Sequence, residues 1–254
     1  MIPALIIGRG KSTGFPGKNI TDIVGRPLMS YPILAAKNSN HVDKVYLSTD
    51  SREIAEVGRK YGTELIERPD YLATNEALSQ DAFKHGFETI QESIRPESIE
   101  MIILLFANGA TITPGLIDEG IQSLRSHADV DSAVSVSKYN MWSPLRAHKI
   151  ENDRLVPFMN PSAFESADCD RDSQGDVYFP DCSAFVVRPK CFDYDYGRPP
   201  FPWIGRNVLP IKQWGGLDID YKWQYPMVEF WLKEHGFTEN KTPYEDQKDL
   251  IKNA

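Results

Sequence analysis

MIPALIIGRGKSTGFPGKNI, residues 1–20, sets the first strand of the fold directly beside the first candidate site. Ala4–Ile7 is an apolar run that ends at Gly8 and is too short for a helix, so it predicts a buried β-strand. Arg9–Gly17 then contains three glycines and a proline, a composition that excludes a regular element. The chain therefore opens with a strand that runs straight into an irregular loop.

From this strand to about residue 137, predicted strands alternate with predicted helices. Such alternation is typical of crossover units, which build a mostly parallel sheet covered by helices on both faces and so an α/β fold. Ser51 as N-cap and Gly62 as C-cap bound one of the helices. The predicted elements after the first strand are a helix at Leu28–Ala36, a strand at 44–50, a helix at 51–62, a strand at Glu64–Ile66, a helix at Leu78–Ile94, a strand at 99–106, a helix at Pro114–His127 and a strand at 131–139.

Three polar loops follow predicted strands. They are the opening loop, Ser48–Asp50 and residues 107–111. Ligands of open parallel sheets bind beyond the carboxyl ends of the strands. We therefore expect these three loops to meet at one rim of the sheet.

The opening loop has the composition of an anion-binding site. Glycines let the backbone N–H groups turn inward, and Arg9, Lys11 and Lys18 add positive charge. The loop is not a P-loop, because Asn19 stands where a Ser or Thr would follow the lysine, and its glycine spacing does not fit G-x-G-x-x-G either. An ordinary strand-to-helix turn is the alternative, but it rarely holds so many glycines and cations. The loop predicts phosphate binding.

Asp218 and Asp220 form the second candidate site. In a strand, residues two apart share a face, so both carboxylates would project together while Ile219 faces the core. Two carboxylates on one face either repel each other or share a cation, and Mg²⁺ with a polyphosphate is the natural occupant. Asp50, at another strand end, is a possible third contributor. A solvated acidic turn is the alternative interpretation.

The remaining polar positions carry weaker signals. Arg68 follows a strand end, where it either contacts a phosphate or pairs with an acidic neighbour. Ser79 and Asp81 are typical of helix capping more than of catalysis. No Ser-His-Asp or Cys-His arrangement can be picked out. This favours chemistry that depends on positioning and charge neutralisation, as phosphoryl or nucleotidyl transfer does.

Composition excludes several classes of partner. With 28 cationic and 36 acidic residues the net charge is −8, which argues against nucleic acid and anionic membranes as partners. We expect neither a signal peptide nor a membrane span, since no stretch approaches about 20 apolar residues. The three cysteines, Cys169, Cys182 and Cys191, lack C-x-x-C spacing and predict no disulfide framework or zinc site. A reducing, cytoplasmic location is expected.

The alternation breaks down between residues 140 and 214. This part is rich in aromatic residues, prolines and aspartates, with strands predicted near 145–150 and 182–188. We interpret it as an elaboration that covers the site or meets a second subunit. The strand and helix pattern resumes in residues 214–236, where a short strand containing Asp218 and Asp220 is predicted to run into a helix.

At this point the chain resembles the CMP-N-acetylneuraminate synthetases, the sugar-acid cytidylyltransferases. Their opening signature, A-R-G-G-S-K-G-x-P-G-K-N, is similar to residues 8–19, GRGKSTGFPGKN. Further similar motifs are STDSREIAE (48–56), ERPDYLAT (67–74) and DID (218–220), in the family's order from residue 4 to about 235. The resemblance implies a Rossmann-like nucleotidyltransferase fold, a single domain over residues 1–254, and a protruding dimerisation arm at 139–180 in a homodimer.

The resemblance also implies a reaction and roles for individual residues. CMP would pass from CTP to the anomeric hydroxyl of a 2-keto-3-deoxy sugar acid, and pyrophosphate would leave. The nucleotide-binding residues would be Gly8, Arg9, Gly10, Lys11, Ser12, Gly14, Lys18, Asn19, Arg68 and Ser79. The catalytic residues would be Arg9, Lys18 and Asp220, the Mg²⁺ ligands Asp218 and Asp220, and the sugar contacts Asn108, Asp181 and Ser183.

Three departures from the family pattern fall mostly on the sugar side. The signature lysine after the serine is Thr13, although a lysine occurs at Lys11. The family's L-L-Q-P-T-S-P has Phe106 in place of the glutamine, and its R-P-N-G-A corresponds to Phe179–Ser183. The chain is therefore expected to use CTP with an acceptor other than N-acetylneuraminate, such as another nonulosonic acid or an octulosonic acid.

Two other functions keep the same nucleotide site. The first is a cytidylyltransferase for a phosphonate or polyol phosphate, whose extra cations would be Arg146, Arg171 and Arg188. The second is a nucleotide-binding regulator without activity. The intact pair Asp218 and Asp220 argues against a regulator, because a mere binder need not keep a metal pair.

Overall fold

A seven-stranded β-sheet runs through the centre of the computed structural model, which describes residues 1–11, 14–160, 162, 168–170 and 172–244. One strand runs antiparallel to both of its neighbours, and all other neighbouring pairs are parallel. This confirms the predicted α/β fold with a mostly parallel sheet. In spatial order, with labels following the chain, the strands are β11 (Val208–Gln213), β7 (Ser132–Lys138), the antiparallel β10 (Tyr178–Val187), β6 (Ile102–Phe106), β1 (Pro3–Ile7), β4 (Lys44–Thr49) and β5 (Glu64–Glu67). The short strands β2 (Asp22–Ile23) and β3 (Arg26–Pro27) pair with each other outside this sheet.

Five α-helices accompany the sheet within the described residues, and each agrees with its predicted position to within a few residues. They are α1 (Ser30–Asn38), α2 (Arg52–Lys60), α3 (Ser79–Ser93), α4 (Pro114–Ser126) and α5 (Tyr225–Glu234). Ser51 caps α2 as predicted, since its Oγ accepts a hydrogen bond from the backbone N–H of Ile54. The start of α3 has no side-chain cap, so the capping role expected of Ser79 and Asp81 is wrong. No helix in the described part of the chain combines the length and apolar character that a bilayer span requires.

Apolar side chains cover both faces of the sheet. Ile6 of β1 packs on one face with Ile33 of α1, and Leu5 packs on the opposite face with Phe83 of α3. All four side chains are fully buried, and burial of each contributes about 1.5–3 kcal/mol to stability. The layers place the opening loop after β1, and the loops after β4, β5 and β6, at the same edge of the sheet.

The strand predicted at residues 218–220 is not formed. The sheet strand of this region is β11, and the chain turns away from β7 after Gln213, with a left-handed φ of 64° at Gly215. The segment beyond has no neighbouring strand to pair with. Ile219 is nevertheless completely buried, in an apolar cluster with Tyr31 and Val228, so the predicted inward and outward alternation is correct without a strand.

The elaboration expected between residues 140 and 214 contains one hairpin and one strand of the main sheet. The strand predicted near 145–150 is β8 (His148–Glu151), which pairs with β9 (Arg154–Pro157) outside the central sheet. The strand predicted near 182–188 is the end of β10. Because β10 begins at Tyr178, the excursion from the sheet ends just before that residue. Part of it, at 161, 163–167 and 171, lies outside the described residues.

A buried carboxylate joins the loop before β11 to the sheet. Asp131 lies just before β7 and accepts hydrogen bonds from the backbone N–H groups of Arg206 (2.7 Å) and Asn207 (2.9 Å) and from the Tyr196 hydroxyl (2.8 Å). It also forms an ion pair with Lys190. Burial alone would raise the pKa of Asp131, but these four partners outweigh it and lower the pKa to about 2.

Asp131→Asn is expected to lower the free energy of unfolding by about 1.5–3 kcal/mol near neutral pH, because the charge-assisted hydrogen bonds are lost. The folded-state pKa lies below the ordinary value of 3.8, so the stabilisation is present above that pH and disappears as the pH falls toward 2. The difference between wild type and variant should therefore narrow over that interval. Urea unfolding across the acid range measures it. The exposed Asp195→Asn serves as the control, and a variant as stable as wild type at neutral pH would contradict the assignment.

Candidate active site

A cavity of about 330 Å³ opens at the carboxyl edge of the sheet. It is lined by residues from the opening loop, from the loop after β6, from the start of α3 and from the segment before α5. The loop after β4 adjoins it, since Asp50 accepts a hydrogen bond from the N–H of Gly10 at 3.0 Å. The predicted meeting of the three polar loops is therefore confirmed. The predicted site residues that line the cavity are Gly8, Arg9, Lys18, Asn19, Arg68, Ser79, Asn108, Asp218 and Asp220.

Close contacts hold the opening loop against the rim. A Cβ on Gly8 would lie 2.8 Å from the Cβ of Ala107, and a Cβ on Gly14 would lie 2.7 Å from the carbonyl oxygen of Asp220. Only glycine therefore allows the loop to approach the loop after β6 and the carboxylate segment at these two points. Asn19 ties the loop to itself, because its Nδ2 donates to the carbonyl of Arg9 at 3.1 Å.

Two other predicted loop residues stand apart from the cavity wall. Lys11 is exposed, and the N–H of Gly10 donates to the carboxylate of Asp50. Neither residue lines the cavity. Ser12, like the neighbouring Thr13, lies outside the described residues. Nucleotide contacts by Gly10, Lys11 and Ser12, like those by the predicted residues that line the cavity, stay predictions.

Three cations face the cavity. Lys18 is largely buried, with its side chain 13% exposed, and its Nζ lies 2.5 Å from Oδ1 of Asp220. Arg9 donates to the carbonyl of Thr74 at 2.9 Å. Arg68 is buried, and its guanidinium donates to the backbone oxygen of Ser48 at 2.8 Å. Burial lowers the pKa of Arg68 to about 10, so the side chain stays charged at neutral pH.

Asp218 and Asp220 converge on the same cavity from an extended segment. Nδ2 of Asn108 lies 3.0 Å from Oδ2 of Asp218 and 3.4 Å from Oδ1 of Asp220. Burial, and then the charge of Asp220, raise the pKa of Asp218 to about 6, with Lys18 acting in the opposite direction. The positive charge of Lys18 therefore does not fully offset the two neighbouring carboxylates.

The chemistry of this pair fits a hard divalent cation. Carboxylate oxygens are ligands that Mg²⁺ accepts, usually one or two from the protein together with substrate phosphates. Asp50 does not line the cavity, and its carboxylate is engaged by Gly10. Within the described residues no group of three or more His, Cys, Asp or Glu side chains has the arrangement of a metal site. The arrangement is a pair and not a triad.

Asp181 and Ser183 do not line the cavity, unlike Asn108. Both are buried, and Asp181 accepts hydrogen bonds from the hydroxyls of Ser135 (2.5 Å) and Ser137 (2.8 Å). Their expected position in the wall of the sugar pocket is therefore corrected, because their polar atoms already have partners inside the protein.

Part of the cavity wall is apolar and, apart from Phe106, which stands where the family has a sugar-contacting glutamine, it was not predicted as part of the site. Phe106 is held there by edge contacts with Phe83 and Phe185, at ring distances of 5.3 and 6.1 Å. The signal that could have identified this wall is its place in the chain, since residues 70–78 connect the carboxyl end of β5 to α3. The other apolar lining residues are Ile7, Leu72, Ala77, Leu78 and Ala82.

Two of the three cations suggested for a phosphorylated acceptor, Arg146 and Arg188, are not in the cavity wall. Arg188 donates to the backbone oxygens of Leu124 (2.6 Å) and Val130 (2.8 Å). Arg146 donates to the backbone oxygen of Cys169 at 3.0 Å, and Arg171 lies outside the described residues. The described lining therefore offers three cations, Arg9, Lys18 and Arg68, and the family resemblance assigns all three to the nucleotide.

Sequence comparison finds relatives that are cytidylyltransferases. The chain is 28% identical to N-acylneuraminate cytidylyltransferase B of Danio rerio over 242 residues, 92% of this chain and 52% of that protein. It is 31% identical to a pseudaminic acid cytidylyltransferase of Campylobacter jejuni over 119 residues, 46% of this chain and 50% of that protein. The chain thus spans about half the length of these curated relatives.

A structure comparison and a match to a family model also point to cytidylyltransferases. A solved CMP:2-keto-3-deoxy-manno-octonic acid synthetase in complex with CTP has the same fold, with a TM-score of 0.65 at 16% identity, over 92% of this chain and 98% of that one. The fold is therefore Rossmann-like. Residues 3–151 match the sequence model of the cytidylyltransferases. Because that region is more than half of the chain, the protein belongs to the cytidylyltransferase family.

Proposed function

We propose that this protein transfers CMP from CTP to the anomeric hydroxyl of a 2-keto-3-deoxy sugar acid and releases pyrophosphate. The observation that carries the proposal is the single cavity in which Asp218 and Asp220 face Arg9, Lys18 and Arg68. The names of the relatives support the sugar-acid class, since they act on N-acylneuraminate and pseudaminic acid.

The residues of the cavity suit an in-line displacement without a protein nucleophile. The acceptor oxygen bonds to the α-phosphorus, the bond from that phosphorus to the oxygen that bridges the α- and β-phosphates breaks, and the hydroxyl proton passes to water. Lys18 and Arg9 offset the charge that develops on the leaving pyrophosphate. Asp220, half exposed at the mouth, orients the attacking hydroxyl, and Arg68 contributes a fixed buried charge to nucleotide binding.

We propose Mg²⁺ as the cofactor, held by Asp218 and Asp220. When bound, it would neutralise phosphate charge and help to align the triphosphate. The raised pKa of Asp218 supports this assignment, because a buried carboxylate beside a second one is relieved by an added cation. Lys18 already lies against Asp220 and supplies part of that positive charge.

The apolar wall narrows the class of acceptor. Phe106 presents an aromatic surface beside the polar loop that contains Asn108. Such a surface favours an acceptor with a deoxy carbon or an acyl methyl group over one that is hydroxylated throughout, because it cannot pair with buried hydroxyls. An acylated nonulosonic acid fits this chemistry, and the replacement of the family's glutamine by Phe106 argues for one other than N-acetylneuraminate.

We further propose a cytoplasmic homodimer, since CTP is available in that compartment. The hairpin β8–β9 and the loops beside it support the dimer, because they leave several large apolar side chains exposed away from the central sheet. Among the described residues these are Met141, Trp142, Ile150, Leu155 and Phe158.

Pyrophosphate release with CTP and Mg²⁺, measured across a panel of acceptors, tests the proposal. The panel contains N-acetylneuraminate, legionaminic, pseudaminic and octulosonic acids, 2-aminoethylphosphonate and polyol phosphates. We expect release with one sugar acid and none when ATP, GTP or UTP replaces CTP. Release only with a phosphonate or polyol phosphate would overturn the acceptor class. If no acceptor gave pyrophosphate release although CTP binding was measurable, the transferase activity would be contradicted and a nucleotide-binding regulator would be favoured.

A further inference from the structure

The segment that carries Asp218 and Asp220 is held by side chains where a sheet would use a neighbouring strand. The backbone oxygen of Asn108 accepts from the N–H of Ile219 at 3.1 Å, and Nδ2 of Asn108 donates to the oxygen of Ile219 at 2.9 Å. Ile219 thus has both backbone groups satisfied by a single residue of the loop after β6. This pairing resembles one rung of a ladder.

Thr111 provides the second rung. Its Oγ1 accepts from the N–H of Leu217 at 2.9 Å and lies 3.0 Å from the oxygen of the same residue. Leu217 directly precedes Asp218, so this hydroxyl determines where the carboxylate segment begins. Thr111 is fully buried and does not line the cavity, so it has no access to a substrate.

A second layer of polar groups holds Thr111 and the turn before Leu217. Gln213 Nε2 lies 3.1 Å from the oxygen of Thr111 and 2.9 Å from Oδ2 of Asp181. Asp181 also accepts from Ser137, whose Oγ in turn accepts from the N–H of Gly216 at 2.9 Å. The carboxylate of Asp181 therefore orients the Ser137 hydroxyl, which accepts from the segment, and the Gln213 amide, which donates to Thr111.

We propose that Thr111 and Asp181 are positioning residues that set the place of Asp218 and Asp220 for binding a divalent cation. The inference rests on the proposed function for the identity of the reaction, but its physical content is the geometry of a carboxylate pair. Groups that orient metal ligands commonly change metal affinity about 10–100-fold when removed. Neither residue touches the substrate in this assignment.

Thr111→Val tests the first rung. Valine keeps the shape and removes the hydroxyl, so the N–H of Leu217 loses its partner. With the metal-free protein titrated with Mn²⁺ and followed by electron paramagnetic resonance, we expect affinity to fall about 10-fold. Hydrogen exchange in residues 215–221 should accelerate, while the strands of the central sheet keep their protection.

Two further threonine variants separate positioning from general stability. Thr111→Ser restores the hydroxyl and should bind Mn²⁺ within about 3-fold of wild type. Thr63→Val removes a buried hydroxyl that has no hydrogen-bond partner among the described residues, and it should leave both Mn²⁺ affinity and exchange at 215–221 unchanged. Wild-type Mn²⁺ affinity in a folded Thr111→Val protein would overturn the proposal.

Asp181→Asn tests the second layer. The amide turns one acceptor oxygen into a donor that faces other donors, so the contacts with Ser137 and Gln213 are not all kept. We expect the same loss of Mn²⁺ affinity and the same faster exchange at residues 215–221, with the KM for CTP changed less than kcat. An unchanged Mn²⁺ affinity in the folded variant would contradict the role of Asp181.

These readouts remain decisive if the proposed reaction is wrong. Mn²⁺ binding and hydrogen exchange need no turnover, so an enzyme with a different acceptor gives the same pattern. If wild type showed no transfer of CMP but Thr111→Val still weakened Mn²⁺ binding and Thr111→Ser restored it, the positioning role would stand and the reaction would fall. If transfer occurred and Mn²⁺ affinity were equal in all variants, the reaction would stand and the positioning role would fall.

Discussion

Asp220→Ala is expected to lower kcat for CMP transfer by about 10³-fold or more and to leave the free energy of unfolding within about 0.5 kcal/mol of wild type. The side chain of Asp220 is 56% exposed, and its contacts in the structure are with Lys18 and Asn108. Its removal therefore takes away a proposed cation ligand and the orienting group for the acceptor hydroxyl, but little packing.

The measurement is steady-state pyrophosphate release with CTP and the accepted sugar acid, together with urea unfolding of the same preparations. Asp193→Ala, another exposed carboxylate, is the matched control and should keep wild-type turnover and stability. Turnover of Asp220→Ala within 10-fold of wild type would contradict the role of Asp220. A large loss of stability would show that the residue holds the fold, in conflict with its exposure.

Lys18→Met should change turnover and metal affinity in opposite directions. Turnover is expected to fall about 10²–10³-fold, because the charge that offsets the leaving pyrophosphate is gone. Affinity of the metal-free protein for Mn²⁺ should rise several-fold, because Lys18 lies 2.5 Å from Asp220 and competes with a metal ion for that carboxylate. Methionine retains most of the length and apolar volume of the lysine stem.

Kinetic assays and Mn²⁺ titrations of the same protein check both parts. Lys44→Met is the control, since Lys44 begins β4 at the opposite, amino edge of the sheet and should alter neither quantity. A fall in Mn²⁺ affinity in Lys18→Met would show that the lysine supports the metal site instead of competing with it. Unchanged turnover would remove Lys18 from the proposed catalytic residues.

The two variants together distinguish the role of the acidic residue from that of the basic residue. Asp220→Ala is expected to weaken both turnover and Mn²⁺ binding, whereas Lys18→Met weakens turnover alone. A site in which these residues formed only a surface ion pair would show small effects in both variants, since exposed pairs contribute about 0–1 kcal/mol.

Much of the fold could be predicted from short-range patterns. The apolar run Ala4–Ile7, the N-cap at Ser51 and the position of α4 are where the sequence indicates them. These features depend on residues within a few positions of each other, whose side-chain periodicity and capping chemistry are local. The cavity-lining residues from Gly8 to Asn19 were found for the same reason, because glycines and cations lie close together in the chain.

Features that depend on distant partners were missed or wrong. The strand expected at Asp218–Asp220 requires a neighbouring strand, and in its place stand the side chains of Asn108 and Thr111. Asp181 was expected to face the sugar, but the serines of β7 take up its oxygens. A sequence pattern indicates which face a residue occupies, while its hydrogen-bond partner depends on which strand comes to lie beside it.

The sequence by itself determined the α/β alternation, the anion-binding composition of the opening loop, and the outward direction of Asp218 and Asp220 about a buried Ile219. Only the tertiary structure decided that Lys18 pairs with Asp220, 202 positions away, and that Asp50 turns to Gly10. It also decided that β10 enters the sheet antiparallel between β6 and β7. The physical reason is that periodicity and capping arise between neighbours in the chain, whereas these contacts exist only after distant segments have packed against a common core.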